Sequence, residues 1–211
     1  MHIDLFGVVL FLHITVAIIA FAMAGVFHAA LPAMSRAENV SQMRPWAAIV
    51  HRLDPLFPLF ALLLLGLGVW LVHLGHGTDD AFSFKDGWVV TAIVALVVVE
   101  GLAGATPAPT AKKLVAKVHD SADGALSDEL RRLAMSPKIW FPGHIATFGF
   151  LGVVFLMAAK PAGEWAWLFP AVGAVVGVAL AKLQLDRLAV AGSGDVPAQR
   201  AAAEAATEAR A

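Results

Sequence analysis

The sequence predicts an all-α fold, a polytopic membrane helical bundle with five transmembrane helices, and two observations support that prediction. Of the 211 residues, 59% are hydrophobic and only 15% are charged, whereas soluble proteins are about half apolar and about a quarter charged. Apolar segments also recur at the length that crosses a bilayer, because a hydrocarbon core of about 30 Å needs about 20 helical residues. Five such spans are predicted, at residues 5–31, 55–74, 88–106, 139–159 and 166–185.

The first span has a histidine near each end, His13 and His28. Between them, alanines recur at three- and four-residue intervals and fall on the same helical stripe as the histidines: Ala17, Ala20 and Ala24. A small, polar stripe suits the inside of a bundle, where it admits a neighbouring helix or a flat cofactor. A small-x-small sequence at residues 22–24 resembles a signal-peptide cleavage site. The acidic N-terminus without Lys or Arg and the long apolar run favour a retained span.

The third and fourth spans each contain an ionisable residue, Glu100 and His144. Such a side chain is costly in a membrane unless it faces a partner or water. We therefore expect Glu100 either to have a functional role or to pair with Arg52 or a loop lysine. For His144 and His13 the alternatives are a cofactor or proton role and a hydrogen-bonded packing histidine.

Further histidines lie close enough to the ends of spans to be merely hydrated. These are His28, His51, His73 and His76. In depth, His28, His51, Arg52, His144 and Glu100 form one candidate polar cluster on the side of the membrane that faces the cytoplasm, while His13 and His73 lie toward the other side.

The fifth span follows two tryptophans that are typical of membrane-interface anchors, Trp165 and Trp167. It carries a small-xxx-small face made by Gly173, Gly177 and Ala181. This pattern is typical of ordinary helix packing, and it also offers a contact for a homodimer or a membrane complex.

The basic residues predict the orientation. Thirteen of the 15 Lys and Arg residues lie in residues 32–54, in residues 110–138 and after residue 181. The positive-inside rule then places the N-terminus outside and the C-terminus in the cytoplasm, which requires an odd number of spans. Residues 110–138 are predicted to be a cytoplasmic loop with two short amphipathic segments on the membrane surface, the second capped by Ser127. Residues 191–211 are predicted to be a flexible tail that frays or forms a lone helix.

Short motifs in the first four spans resemble a family of small bacterial integral membrane proteins of unknown function. They are Phe11-Leu12-His13-Ile14, Arg52-Leu53, Gly87-Trp88 and Leu156-Met157-Ala158-Ala159-Lys160-Pro161. The resemblance covers residues 3–161, and the fifth span lies outside it. It implies a multi-pass protein of the bacterial plasma (inner) membrane.

That family is in turn similar to copper-resistance D domains and to heme-b protoporphyrinogen IX oxidases of the four-helix type. In those oxidases the first-helix histidine is implicated in heme binding, a role that the resemblance transfers to His13. This chain lacks the Trp and Arg that the oxidases place later in their first helix and has no lysine inside its third span. The resemblance therefore extends to heme binding more than to oxidase activity.

Three hypotheses for function follow. The first is a b-type heme-binding or electron/proton-transfer module, with His13, His144, His28 and His73 as candidate heme ligands; if it is an enzyme, it is a heme-dependent membrane oxidoreductase. The second is a non-enzymatic membrane scaffold or accessory subunit with structural histidines, and the third is a small permease or metal transporter. The absence of cysteine excludes iron–sulfur clusters and thiolate metal sites. The lipid bilayer is the expected partner, and nothing in the sequence indicates nucleic acid.

Overall fold

The computed structural model describes residues 4–75, 82–105, 108–161 and 163–208, with the side chains of 102–105, 108 and 191–208 left out. Within these ranges the protein is all-α, as predicted, and its only β-type contact is an isolated bridge between Asn39 and Ala125. The described residues form eight α-helices and one 3-10 turn, in chain order α1 (Leu5–Ser35), α2 (Val40–Leu53), α3 (Leu56–Leu74), α4 (Gly87–Ala105), α5 (Ala108–Asp120), α6 (Asp128–Ala134), α7 (Pro137–Ala159), the turn Gly163–Trp167 and α8 (Leu168–Glu208).

Four stretches of the described chain are long and apolar enough to cross a membrane. They are Leu5–Ser35, Val40–Leu74, Asp128–Ala159 and Gly163–Val190. The predicted third span corresponds to α4, whose described apolar part, Gly87–Gly101, is shorter. The first helix runs past residue 31 to Ser35, and the backbone of the predicted tail continues α8 as a helix to Glu208.

The segments predicted as polar loops instead form a packed helical cap, which we define as α2, α5 and α6. The three helices bury apolar residues in one cluster, in which α5 packs on α2, α6 and α7, while α2 and α6 pack on α1. The buried side chains include Met43, Ala47, Val50, Leu114, Val118, Leu130 and Ala134. Their three- and four-residue spacing gives each helix an apolar face, and joining these faces removes them from water. The two segments within 110–138 therefore pack on each other, and the first of them packs on α2.

Side-chain caps and ion pairs fix the ends of the cap helices. Ser127 begins α6, as predicted, and its hydroxyl accepts a hydrogen bond from the backbone N–H of Leu130 at 3.3 Å. Glu129 pairs with both Lys113, at 3.1 Å, and Lys117, which tie α6 to α5. The hydrogen bonds from the two ammonium groups hold the pKa of Glu129 below its ordinary value.

Among the described helices, α7 and α8 form the most extensive contact, and glycines allow their backbones to approach each other closely. A Cβ added at Gly173 would overlap the carbonyl oxygen of Phe148, and one added at Gly177 would lie 2.5 Å from the carbonyl oxygen of His144. Ala181 continues the same face and is fully buried. The small-xxx-small face is thus a packing face within one chain. The ordinary helix packing predicted for Gly173, Gly177 and Ala181 is therefore formed, and a homodimer or membrane complex through them stays a prediction.

Candidate functional site

A cavity of about 460 Å³ lies between α1, α3, α4 and α7. Its volume falls within the range of about 300–1,000 Å³ that is typical of ligand pockets. α1 packs mainly on α3, while α4 packs mainly on α7, so the cavity separates two helix pairs. Two members of the predicted alanine stripe, Ala20 and Ala24, line it, and their small side chains leave the space on the α1 side.

The cavity opens sideways between α3 and α4. Leu62 on α3 and Val97 on α4 line the cavity, yet they are 67% and 56% exposed on the surface of the bundle. Exposed apolar side chains in the middle of spanning segments face lipid. The opening therefore connects the cavity with the hydrocarbon region of the bilayer.

Three side chains bring polar atoms to the otherwise apolar wall: Asp54, Glu100 and Thr147. Asp54 ends α2 at the side of the helical cap, and Glu100 and Thr147 come from the facing helices α4 and α7. Neither carboxylate makes an ion pair with any residue that the structure describes. The predicted pairing of Glu100 with Arg52 is therefore not formed, and Arg52 is exposed.

Two of the predicted histidines meet beside the cavity. The rings of His28 on α1 and His144 on α7 contact each other edge to face, with centroids 4.4 Å apart. His28 Nε2 lies 2.9 Å from the hydroxyl oxygen of Thr147, and this contact links α1 to α7. Trp140 stacks on His144 with ring centroids 5.7 Å apart and donates its indole N–H to the carbonyl of Ala134 at 2.8 Å.

The hydrogen bonds of His144 determine its tautomer. Its Nδ1 lies 2.8 Å from the carbonyl oxygen of Trp140, which can only accept, so Nδ1 carries the proton. In the neutral ring Nε2 is then an acceptor, and it is buried without a hydrogen-bond partner among the described residues. The side chain of Gln184 on α8 is the polar group that approaches this ring. The imidazole is only 1% exposed.

His13 points into the bundle, as the stripe predicts, but toward a helix and not toward a second imidazole. It packs against α3, where its ring faces the backbone of Leu64 and its Cε1 lies 3.4 Å from the position of a Cβ at Gly68. The residue is 9% exposed, and its Nδ1 has no hydrogen-bond partner within the described ranges. Gly68 thus makes room for the imidazole.

The structure does not bring the remaining predicted residues to the cavity. His51, Arg52 and His73 are exposed. They do not line the cavity, and His76 lies outside the described residues.

These histidines do not fit a heme b held between two imidazoles. The edge-to-face contact of His28 with His144 leaves no room for a porphyrin between the rings. His13 and His28 are 15 residues apart on one helix, which is about 22 Å along its axis. Among the described residues that line the cavity, none is a histidine or a methionine. The described residues also contain no group of three or more His, Cys, Asp or Glu that could hold a metal ion.

Sequence reasoning missed Asp54 and Thr147 as members of the site. Thr147 was detectable as a lone hydroxyl in an apolar span, three residues after His144. Asp54 was hidden because it ends a segment that reads as a polar loop.

Fold and site together define a helical integral membrane protein with a ligand-sized cavity open toward lipid. The chain belongs to the family described as "Predicted integral membrane protein (DUF2269)", whose model matches residues 7–161. The resemblance to a family of small integral membrane proteins of unknown function is thereby confirmed, and the likeness to copper-resistance D domains and heme oxidases stays a prediction. No curated protein and no solved structure matches the chain. The family match ends before α8, although α8 is the helix that α7 contacts most closely.

Proposed function

We propose that this protein binds a lipophilic cation, which it takes from the bilayer into the cavity between α1, α3, α4 and α7. The observation that carries the proposal is the Glu100 carboxylate, which lines an apolar, ligand-sized cavity and has no ion-pair partner in the described residues. An unpaired carboxylate inside a membrane is costly, and a bound cation would offset that cost.

Electrostatics would supply the selectivity of such a site. The apolar walls contact the hydrocarbon part of the ligand. Transfer of that part from lipid to the cavity contributes little binding free energy, because lipid tails are as apolar as the wall. A charged hydrogen bond contributes about 1.5–3 kcal/mol, and more where water is excluded. Binding should therefore depend on the charge of the ligand more than on its length.

A charge series of probes tests this proposal. The full chain in lipid nanodiscs is titrated with fluorescent probes that share one alkyl chain and carry an ammonium, a hydroxyl or a sulfonate head. We expect the ammonium probe to bind saturably and most tightly, and Glu100→Gln to weaken it by about 10-fold or more. The matched control is Glu164→Gln, which removes an exposed carboxylate outside the cavity. Equal binding of the three probes, or no effect of Glu100→Gln, would contradict the proposal.

The proposed setting is a five-span protein of the bacterial inner membrane, with the N-terminus outside and the helical cap and C-terminus in the cytoplasm. The distribution of Lys and Arg supports this orientation, because residues 32–54 and 110–138, which include the helical cap, carry nine of the 15. The apolar character of α4 supports its role as the additional span, since Gly87–Gly101 is apolar except for Thr91 and Glu100.

A scaffold or accessory role is the second candidate, and one observation favours it. The contact between His28 and Thr147 joins α1 to α7, as expected of structural histidines. Under this hypothesis His28→Phe lowers the thermal stability of the bundle, and no probe of the charge series binds.

Heme b binding stays a prediction. Soret absorbance of protein purified from a heme-competent host would support it, and its absence would contradict it.

A further inference from the structure

We propose that the cationic head of the ligand is a protonated amine with N–H groups, bound jointly by Glu100 and Thr147, and not a quaternary ammonium. This inference rests on the proposed function and specifies the class of ligand. It follows from the donors and acceptors of the cavity wall, whose side-chain polar atoms belong to Asp54, Glu100 and Thr147.

The hydroxyl hydrogen of Thr147 is already engaged in a hydrogen bond within α7. It donates to the carbonyl oxygen of Gly143 at 3.0 Å. Since a hydroxyl has a single hydrogen, the contact with His28 at 2.9 Å must be a bond that His28 Nε2–H donates to Thr147. One lone pair of the Thr147 oxygen remains, and this side chain lines the cavity.

The side chains of the described wall residues therefore present only acceptors to a ligand. Ionised carboxylates accept hydrogen bonds and donate none, and Thr147 has no hydrogen left to donate. A head group with several N–H donors satisfies these atoms, whereas a trimethylammonium head supplies charge and no donor. Each acceptor left without a donor in a buried site costs free energy, and this cost sets the discrimination.

Glu100 and Thr147 lie at nearly the same depth. Val99 on α4 faces Gly149 on α7, and its Cγ2 lies 3.1 Å from the position of a Cβ at that glycine. α4 runs toward the helical cap, so Glu100 lies one residue nearer the cap than Val99. α7 runs away from the cap, so Thr147 lies two residues nearer the cap than Gly149. At about 1.5 Å per residue their levels differ by only about 1.5 Å. Both side chains also line the same cavity, so they meet the two conditions for joint binding of one ammonium group, a shared cavity wall and a similar depth.

A matched pair of ligands tests the inference. Dodecylammonium and dodecyltrimethylammonium share chain and charge and compete with the fluorescent ammonium probe on the full chain in nanodiscs. We expect the primary ammonium to bind about 10-fold more tightly. Thr147→Val, which keeps the shape and removes the acceptor, should reduce this ratio several-fold. Thr147→Ser should keep it.

The outcomes separate this inference from the proposed function. Equal binding of the two ligands, or a ratio unchanged by Thr147→Val, would overturn the inference, while Glu100-dependent binding of both would leave the proposed function intact. Binding of neither ligand would overturn both proposals. The wild-type ratio needs no variant, so the test stands even if Thr147→Val does not fold.

Discussion

The α7–α8 interface gives the sharpest prediction for the fold, because adding one methyl group to a glycine should destabilise the protein only where that glycine contacts another helix backbone. Gly173→Ala places a Cβ against the carbonyl oxygen of Phe148, with the Cα of Gly149 3.2 Å away. Backbone atoms of a packed helix cannot rotate aside, so α8 must move away from α7. Overpacking of this kind costs about 1–3 kcal/mol. The gain in helix propensity from Gly to Ala offsets about 0.5–1 kcal/mol of that cost, and a net loss of about 1–2 kcal/mol remains.

The matched control for this substitution is Gly25→Ala on α1, where a Cβ meets nothing within 4 Å. It makes the same chemical change without the clash and should be neutral or stabilising by up to about 1 kcal/mol. Unfolding in mixed detergent micelles, followed by far-UV circular dichroism, measures both variants. Equal stability of Gly173→Ala and Gly25→Ala would refute the argument that α7 and α8 are in backbone contact.

Three further predictions concern the helical cap and the topology. Because the lysine pairs lower the pKa of Glu129 from its ordinary 4.5, its stabilising contribution is present above that value and is lost as the pH falls through the lowered one. Glu129→Gln should therefore flatten the acid limb of the unfolding curve, and an unchanged limb would count against the pairing. Trp140→Phe should cost about 1–3 kcal/mol, measured by thermal unfolding, because it removes the indole donor to Ala134 in a fully buried position. The chain contains no cysteine, so a membrane-impermeant maleimide applied to intact cells should label Glu164→Cys and not Ala122→Cys; the reverse pattern would invert the proposed topology.

Much of the fold could be predicted from hydropathy, because the bilayer imposes one length and one composition on every span. The helical cap could be predicted only in part, because the two amphipathic segments within 110–138 and the Ser127 cap were recognisable, whereas α2 and the packing of the three helices were not. The apolar face of α2, made by Met43, Ala47 and Val50, is short, and the segment that carries it is polar overall. Such a segment resembles a loop in sequence, and its apolar face is buried only when the cap helices pack together. The small face of α8 was recognisable as a packing face, but spacing alone does not reveal whether α7 or a second copy covers it.

The candidate site could be predicted only in part. The alanine stripe of α1 indicated a small-residue wall, and Ala20 and Ala24 do line the cavity. Glu100 was identifiable because a carboxylate is rare inside a span. The contacts of the histidines could not be predicted, since the cost of an imidazole in a membrane can be met by ordinary packing as well as by a ligand. His13 faces a backbone and a glycine, and His28 bonds to Thr147, and neither arrangement leaves a trace in the spacing of histidines.

The position of a bound ligand tests the central claim most directly. A dodecylammonium analogue with a diazirine near its head is photolysed on the full chain in nanodiscs, and the labelled residues are mapped by mass spectrometry. We predict labels on cavity-lining residues of α3 and α4, such as Phe60 and Leu96, that excess dodecylammonium removes and that Glu100→Gln weakens. Labels confined to lipid-facing positions such as Val175, which is 68% exposed, and insensitive to competitor would contradict the claim.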